Sequence, residues 1–240
     1  MGGGVGVSEH GSHRIATEKT RFAMPETGIG FFPDVGGTWL LTRVPGELGT
    51  YFGLTGATMN GDDAVFAGCA DAVVSTTRWP DLRAALTAVH AGASAHDVTA
   101  TVAHFATPAA QGPVAMQHQR IDRLFAHDRV EDIVAALERD GSDFAHATLK
   151  LLGQKSPTSL KVTLKLLRAA RGATSLEECL RREYRASLQV IASEEFRIGV
   201  RAAVIDKDRN PRWQPARLED VDDVIVSRYF ADRGSDELRF

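Results

Sequence analysis

The chain has 240 residues, 43% hydrophobic and 25% charged, with 28 Lys+Arg against 31 Asp+Glu and a formal net charge of −3. That length builds one large domain or two small ones around a real core, and the composition is that of a globular protein. The charge balance argues against a dedicated nucleic-acid binder while leaving room for a local basic patch facing a phosphorylated ligand. No apolar run reaches bilayer length, so no membrane partner is expected, and no signal-peptide pattern opens the chain. Cys69 and Cys179 lack CxxC spacing and read as two reduced thiols. The eight histidines form no HExxH or His/Cys pattern, and no metal is expected.

Glycines follow Met1 at once, in the cluster Gly2-Gly3-Gly4-Val5-Gly6. Val5 to His10 predicts a short helix stopped by Gly11. Arg14–Thr17 and Thr20–Ala23 alternate as short strands do, and Pro25 then blocks ladder pairing. Phe22 to Gly37 is the unusual stretch. It holds Glu26 and Asp34 among three phenylalanines, two prolines and four glycines. A core segment would not place acids there and a solvated loop would not need the aromatics. The combination points to backbone folded around a partly dry site with both acids aimed into it.

After Gly37, helices are expected around Trp39, Leu40 and Val44, over Leu48–Leu54 before the turn Leu54-Thr55-Gly56, and over Asp62–Ala67 before Gly68. Asp71–Val74 reads as a buried strand. Helices follow over Asp81–Ala91, from Ser94 or Asp97, and over Gln117–Phe125, with Pro108–Pro113 between the last two. Asp128 with Glu131, and Thr174 with Glu177, fit capping boxes. Val130, Ile133, Val134 and Leu137 form one apolar stripe, and Leu176, Leu180, Tyr184 and Leu188 another. Phe144–Leu152 is helical. Ser156-Pro157 starts a helix striped by Leu160, Leu164 and Leu167. Ser193 caps one bearing Phe196 and Val200, 210–215 is extended, and Val221–Phe230 is a terminal helix. The organisation is a mixed, glycine-rich part over 1–78 and a helical part over 79–240, with a soft boundary.

These residues resemble the crotonase superfamily, also called the enoyl-CoA hydratase/isomerase family, and within it the 3-hydroxyisobutyryl-CoA hydrolase branch. The resemblance is carried by Met1-Gly-Gly-Gly-Val-Gly6, Ala16-Thr-Glu-Lys19, Phe22-Ala-Met-Pro-Glu26 and Gly30-Phe-Phe-Pro-Asp-Val-Gly-Gly37. Ser156-Pro-Thr-Ser-Leu-Lys161, Glu183-Tyr-Arg185, Gly199-Val-Arg-Ala202, Ile205-Asp-Lys-Asp208 and Pro211-Arg-Trp213 extend it along the chain. It implies an α/β crotonase (ClpP/crotonase-like) fold lacking its N-terminal part, with a mostly helical C-terminal region. A start placed too late in the gene is the expected cause, since the superfamily has a substantial segment before the glycine cluster.

The resemblance implies hydrolysis of the thioester of 3-hydroxyisobutyryl-CoA to 3-hydroxyisobutyrate and CoA, a step of valine catabolism, with the acyl-CoA as partner and no cofactor. By the same resemblance Gly3 donates a backbone N–H to the thioester oxyanion. Glu26 attacks the thioester or activates water, and Asp34 meets the substrate hydroxyl or the water. Read from the residues alone, Gly3 is equally a flexible tail, Glu26 a salt-bridged surface acid and Asp34 a helix cap. Superfamily hydratases use a second glutamate where this chain has Gly6, which disfavours hydration; Glu9 lies out of phase to replace it. A hydratase or isomerase, and a fragment without activity, are the alternatives. Arg201, Lys207 and Arg212 are candidates for CoA phosphates but read more readily as solvated charges. The composition favours a bacterial cytoplasm, without excluding mitochondria. A homo-oligomer is compatible with the sequence.

Overall fold

The computed structural model describes residues 1, 3–90 and 92–240. Gly2 of the opening cluster and Ala91 at the end of the helix expected over 81–91 lie outside the described residues. In chain order the helices are α1 (Gly3–Ser8), α2 (Gly37–Leu41), α3 (Leu48–Thr55), α4 (Gly61–Phe66), α5 (Trp79–Ala88), α6 (Ala95–Phe105) and α7 (His118–Phe125). They continue with α8 (Val130–Asp140), α9 (Asp143–Leu152), α10 (Pro157–Ala170), α11 (Leu176–Ile191), α12 (Glu194–Val200) and α13 (Asp223–Ser227). Among the described residues, β1 (Ile15–Ala16) and β2 (Ala72–Val73) form one short parallel pair with Ile15 opposite Ala72.

Local chemistry sets many of these boundaries. Ser94 and Asp97 close a reciprocal capping box at the start of α6. Ser156 accepts from the Ser159 N–H at 3.0 Å, and Pro157 takes the first position of α10, where its missing N–H loses nothing. Gly56 and Gly141 end α3 and α8 in the left-handed conformation.

Elsewhere tertiary bonds overrule the local pattern. Thr20–Ala23 is no strand; Phe22 makes an isolated antiparallel bridge with Met59 before Pro25 turns the chain. The Asp128–Glu131 box does not form. Asp128 accepts from Arg168 at 2.9 Å and Glu131 pairs with Lys161 at 2.6 Å. Ser175, one residue after Thr174, caps α11 through the Glu178 N–H. Ser193 donates to the Val190 carbonyl and leaves α12 without a side-chain cap. The terminal helix is divided, α13 giving way to a 3-10 turn over Arg228–Phe230. On α11 the expected apolar stripe is only half-buried; Cys179, Glu183, Ala186 and Val190 are the buried face.

The largest core cluster gathers Phe52, Leu54, Phe125, Ile133, Leu137, Leu160 and Leu164, drawing on both sides of residue 78. Every residue of α3 is buried. A second cluster joins Phe32 to Val162, Leu166, Val190, Val221 and Tyr229. α10 therefore carries two apolar stripes, Leu160–Leu164–Leu167 toward the first cluster and Val162–Leu166 toward the second. The second stripe seats Phe32, which lies in the segment between Glu26 and Asp34.

The 3-10 turn Glu26–Ile29 rests backbone-to-backbone on α12. A Cβ on Gly199 would come within 2.2 Å of the Ile29 carbonyl, and one on Gly30 within 2.6 Å of the Glu195 carbonyl. Gly199→Ala is therefore expected to destabilise the fold by about 1–3 kcal/mol through overpacking. A lowered urea midpoint with an unchanged m-value is the signature to look for.

Candidate active site

Pro25 leads into the Glu26 turn, and the chain around it is tied on several sides. The Thr27 hydroxyl donates to the Leu54 carbonyl at 3.1 Å, and the Ser156 N–H donates to the Thr27 carbonyl at 3.1 Å. Gly30, at φ 74°, closes the turn with its N–H on the Glu26 carbonyl. Glu26 is 7% exposed and faces a cavity of about 970 Å³, whose wall includes Met1, Pro25, Gly28, Ile29, Lys155, Ala202 and Arg209. Its Oε2 is buried and has no hydrogen-bond partner among the described residues. Burial pushes the Glu26 carboxyl up to about 7, and the nearby Asp34 charge adds to the shift. Behind the turn, the Ser156 hydroxyl donates to the Glu195 carboxylate at 2.6 Å. Burial also pushes Glu195 up to about 7.

Asp34 opens a tight turn. The Gly37 N–H donates to the Asp34 carbonyl at 2.8 Å, with Val35 at φ 52° and Gly36 at φ 80°. Two left-handed central residues and that bond are the marks of a type I′ turn, unusual for a β-branched Val. Asp34 does not cap α2. Gly36 holds the cap position with no side-chain bond of its own. The acceptors come instead from Glu183 on α11, which takes the Gly36 N–H at 2.8 Å, the Thr38 N–H at 3.0 Å and the Thr38 hydroxyl at 2.5 Å. Asp34 itself is half-buried, and burial raises its pKa.

Gly3 is the exposed first residue of α1, and a Cβ there would meet nothing within 4 Å. As a first-turn residue its N–H has no partner inside the helix. Gly3 and Asp34 lie outside the cavity wall that holds Glu26 and Met1. α1 meets the Asp34 turn at Gly6, where a Cβ would lie 2.3 Å from Val35 Cγ2. The space that a side chain at position 6 would enter is thus occupied by Val35. Glu9 is buried and pairs with Arg14 at 3.3 Å. Glu26 and Asp34 are thereby brought into electrostatic reach of each other, with Gly3 on the helix that abuts the Asp34 turn.

Three groups escape a reading of the sequence. Lys155 is half-buried in the cavity wall, its Nζ 3.6 Å from the Cβ position of Gly28 and 3.4 Å from that of Gly56. Burial lowers its pKa. Glu183 and Glu195 are the buried carboxylates behind the two acid-bearing turns. The available signals were that Lys155 precedes the Ser156-Pro157 helix start and that Glu183 stands in the Glu183-Tyr-Arg185 motif, neither of which gave a role. Arg201 is occupied by Asp206 at 2.6 Å and Asp208 at 2.7 Å, so it is not poised for phosphates. Among the described residues no group of three or more His, Cys, Asp and Glu could hold a metal ion.

The family model described as enoyl-CoA hydratase/isomerase matches residues 1–230. The chain is 42% identical over 246 residues to the mitochondrial 3-hydroxyisobutyryl-CoA hydrolase of Rattus norvegicus, covering 100% of this chain and 63% of that protein. It is 42% identical over 238 residues to 3-hydroxyisobutyryl-CoA hydrolase 1 of Arabidopsis thaliana, covering 96% and 63%. Among solved structures, a carnitinyl-CoA dehydratase from Mycobacterium thermoresistibile matches with TM-score 0.92 and 41% identity over 100% of this chain and 67% of that one. An enoyl-CoA hydratase from Rhodobacter sphaeroides 2.4.1 matches with TM-score 0.89 and 40% identity, covering 100% and 68%. The chain thus spans about 63% of the length of the curated relatives it matches, and its fold is the crotonase fold. With a family model covering nearly its whole length and relatives of this identity, the chain belongs to the enoyl-CoA hydratase/isomerase family.

Proposed function

We propose that this chain serves hydrolysis of the thioester of 3-hydroxyisobutyryl-CoA, consuming water and giving 3-hydroxyisobutyrate and CoA. The supporting observation is Glu26: a buried carboxyl in a cavity wall, with Oε2 unpartnered among the described residues and its pKa pushed up to about 7. Near neutrality such a group exchanges a proton readily and its carboxylate is poorly solvated, which suits either attack on the thioester carbonyl or deprotonation of water. The oxyanion takes the Gly3 N–H at the open start of α1. Asp34 takes the substrate hydroxyl or orients the water. Lys155 attracts the anionic substrate from the wall of the same cavity.

The two solved neighbours are named as a hydratase and a dehydratase, so the second reading is addition of water to an enoyl-CoA. Val35 against Gly6 argues against it, because the side chain of a second acid at position 6 would collide with Val35. The partner in this reading is the acyl-CoA, without nucleic acid, membrane, metal or redox cofactor; CoA is part of the substrate. A bacterial cytoplasm stays a proposal from composition, while rat and chicken relatives are named as mitochondrial. Self-association is likewise a proposal, checked by sedimentation.

Incubation with 3-hydroxyisobutyryl-CoA should release thiol, followed with a thiol reagent, while crotonyl-CoA should not be hydrated. Hydration without thiol release, or neither reaction from a folded chain, would overturn the proposal. Glu26→Gln should lower kcat/KM by at least about 100-fold. Lys155→Met should raise KM and leave kcat within about twofold, as expected for lost uniform binding.

Rate and stability should respond to pH in opposite directions. The working form of Glu26 is the carboxylate, so kcat/KM should rise between pH 6 and 8 with its midpoint near 7, set by the raised pKa. Stability runs the other way. The folded carboxyl binds its proton more tightly than an unfolded glutamate at 4.5, so its stabilising contribution is full below 4.5 and is lost as pH rises through about 7. Glu26→Gln should therefore gain up to about 3 kcal/mol over the parent at pH 8 and nothing below pH 4.5, read from urea midpoints.

A further inference from the structure

We propose that Glu183 is a positioning residue for Asp34, its carboxylate holding the turn that aims the Asp34 side chain. The inference rests on the reading of Asp34 as the group that meets the substrate hydroxyl or the water.

The turn is not a conformation its own residues would choose. Val35 sits at φ 52°, and a β-branched residue in the left-handed region is strained and persists only where its surroundings over-determine it. No side chain of the turn caps α2. Glu183 supplies what is missing. Oε2 accepts from the Gly36 N–H, and Oε1 accepts from both the N–H and the hydroxyl of Thr38. All three donors follow Asp34 within four residues, so two carboxylate oxygens fix the orientation of the peptide planes that carry it. Neighbouring atoms box the turn in. A Cβ on Gly36 would lie 3.0 Å from His10 Nε2 and 3.0 Å from Leu176 Cδ1.

Glu183 is 3% exposed and makes no ion pair with Lys, Arg or His among the described residues. An apolar side chain at that point of α11 would avoid the desolvation cost of a carboxyl but leave the Gly36 and Thr38 N–H groups without this acceptor. What the carboxylate adds is direction: three short bonds converge on one turn. The other buried residues of α11 are Cys179, whose thiol meets the Thr38 side chain, Ala186 and Val190.

The test uses two CoA thioethers that cannot be hydrolysed, one with the 3-hydroxyl and one without, titrated calorimetrically into the full chain. The parent should prefer the hydroxylated compound by at least about tenfold, the value of one well-made hydrogen bond. Asp34→Asn should bring the ratio to about one, and Glu183→Gln should do the same. The double variant should fall no further, because both act through one group. Thr38→Val, which keeps both N–H donors and loses the hydroxyl, should lower the ratio about threefold. A Glu183→Gln chain that keeps the parental ratio while Asp34→Asn loses it would overturn the positioning role and leave the reading of Asp34 intact. If Glu183→Gln does not fold by circular dichroism, Thr38→Val decides, an unchanged ratio overturning the proposal. A parent without preference, or an Asp34→Asn chain that retains it, would overturn the reading of Asp34 and this inference with it.

Discussion

Removing a carboxyl from water raises its free energy unless donors replace the lost solvent, and this structure applies that constraint several times over. Glu9, Glu26, Glu183 and Glu195 are all buried and all pushed up to about 7. They are not equivalent. Glu9 has Arg14, Glu183 has three donors from one turn and Glu195 has Ser156. Glu26 Oε2 and Glu195 Oε1 both lack a hydrogen-bond partner among the described residues, and of the two acids Glu26 is the one in the cavity wall. Glu195 still has the Ser156 hydroxyl behind the turn, whereas the unpaired oxygen of Glu26 belongs to an acid facing open space, an arrangement that leaves free energy available for interaction with whatever enters.

The helical part of the chain does two jobs with the same elements. α10 seats both core clusters through its two apolar stripes, and its capping serine also reaches the Glu26 turn and Glu195. α12 presents Gly199 so that the Ile29 backbone can lie flat against it. α11 packs through small buried residues and projects Glu183 toward the Asp34 turn. Packing quality and site geometry are therefore coupled: a shift of α11 or α12 moves the backbone of an acid-bearing turn.

The sequence was most legible where chemistry is local. Glu26 and Asp34 stood out because acids among phenylalanines, prolines and glycines contradict both a core and a solvated loop. Gly6 was informative by its lack of a side chain, and Val35 explains in space why nothing larger stands there. Ser94 and Ser156 announced their helices because their partners lie three residues away. Legibility failed where a partner lies far along the chain. Asp128 and Glu131 looked like a cap until Arg168 and Lys161 claimed them. Glu183 stood in the Glu183-Tyr-Arg185 motif, but its bonds to Gly36 and Thr38 were hidden for the same reason. A stripe argument puts leucines inside and a glutamate outside, whereas α11 is turned so that Glu183 points in and Leu176, Leu180 and Leu188 are half-buried. Lys155 gave no periodic signal at all, its place depending on how Gly28 and Gly56 come together around it.

The bond between Gly36 and Glu183 spans 147 residues of chain. At ribosomal rates of about 5–20 residues per second, that separation means roughly 7–30 s between the emergence of the turn and that of its acceptor. Throughout that interval Val35 has nothing from α11 to hold it in the left-handed region. The local helices and the β1–β2 pair can form earlier, since their contacts close shorter loops. Assembly of the Asp34 turn is thus a late event of biosynthesis, and a nascent chain arrested before α11 would carry both acids without the geometry that relates them.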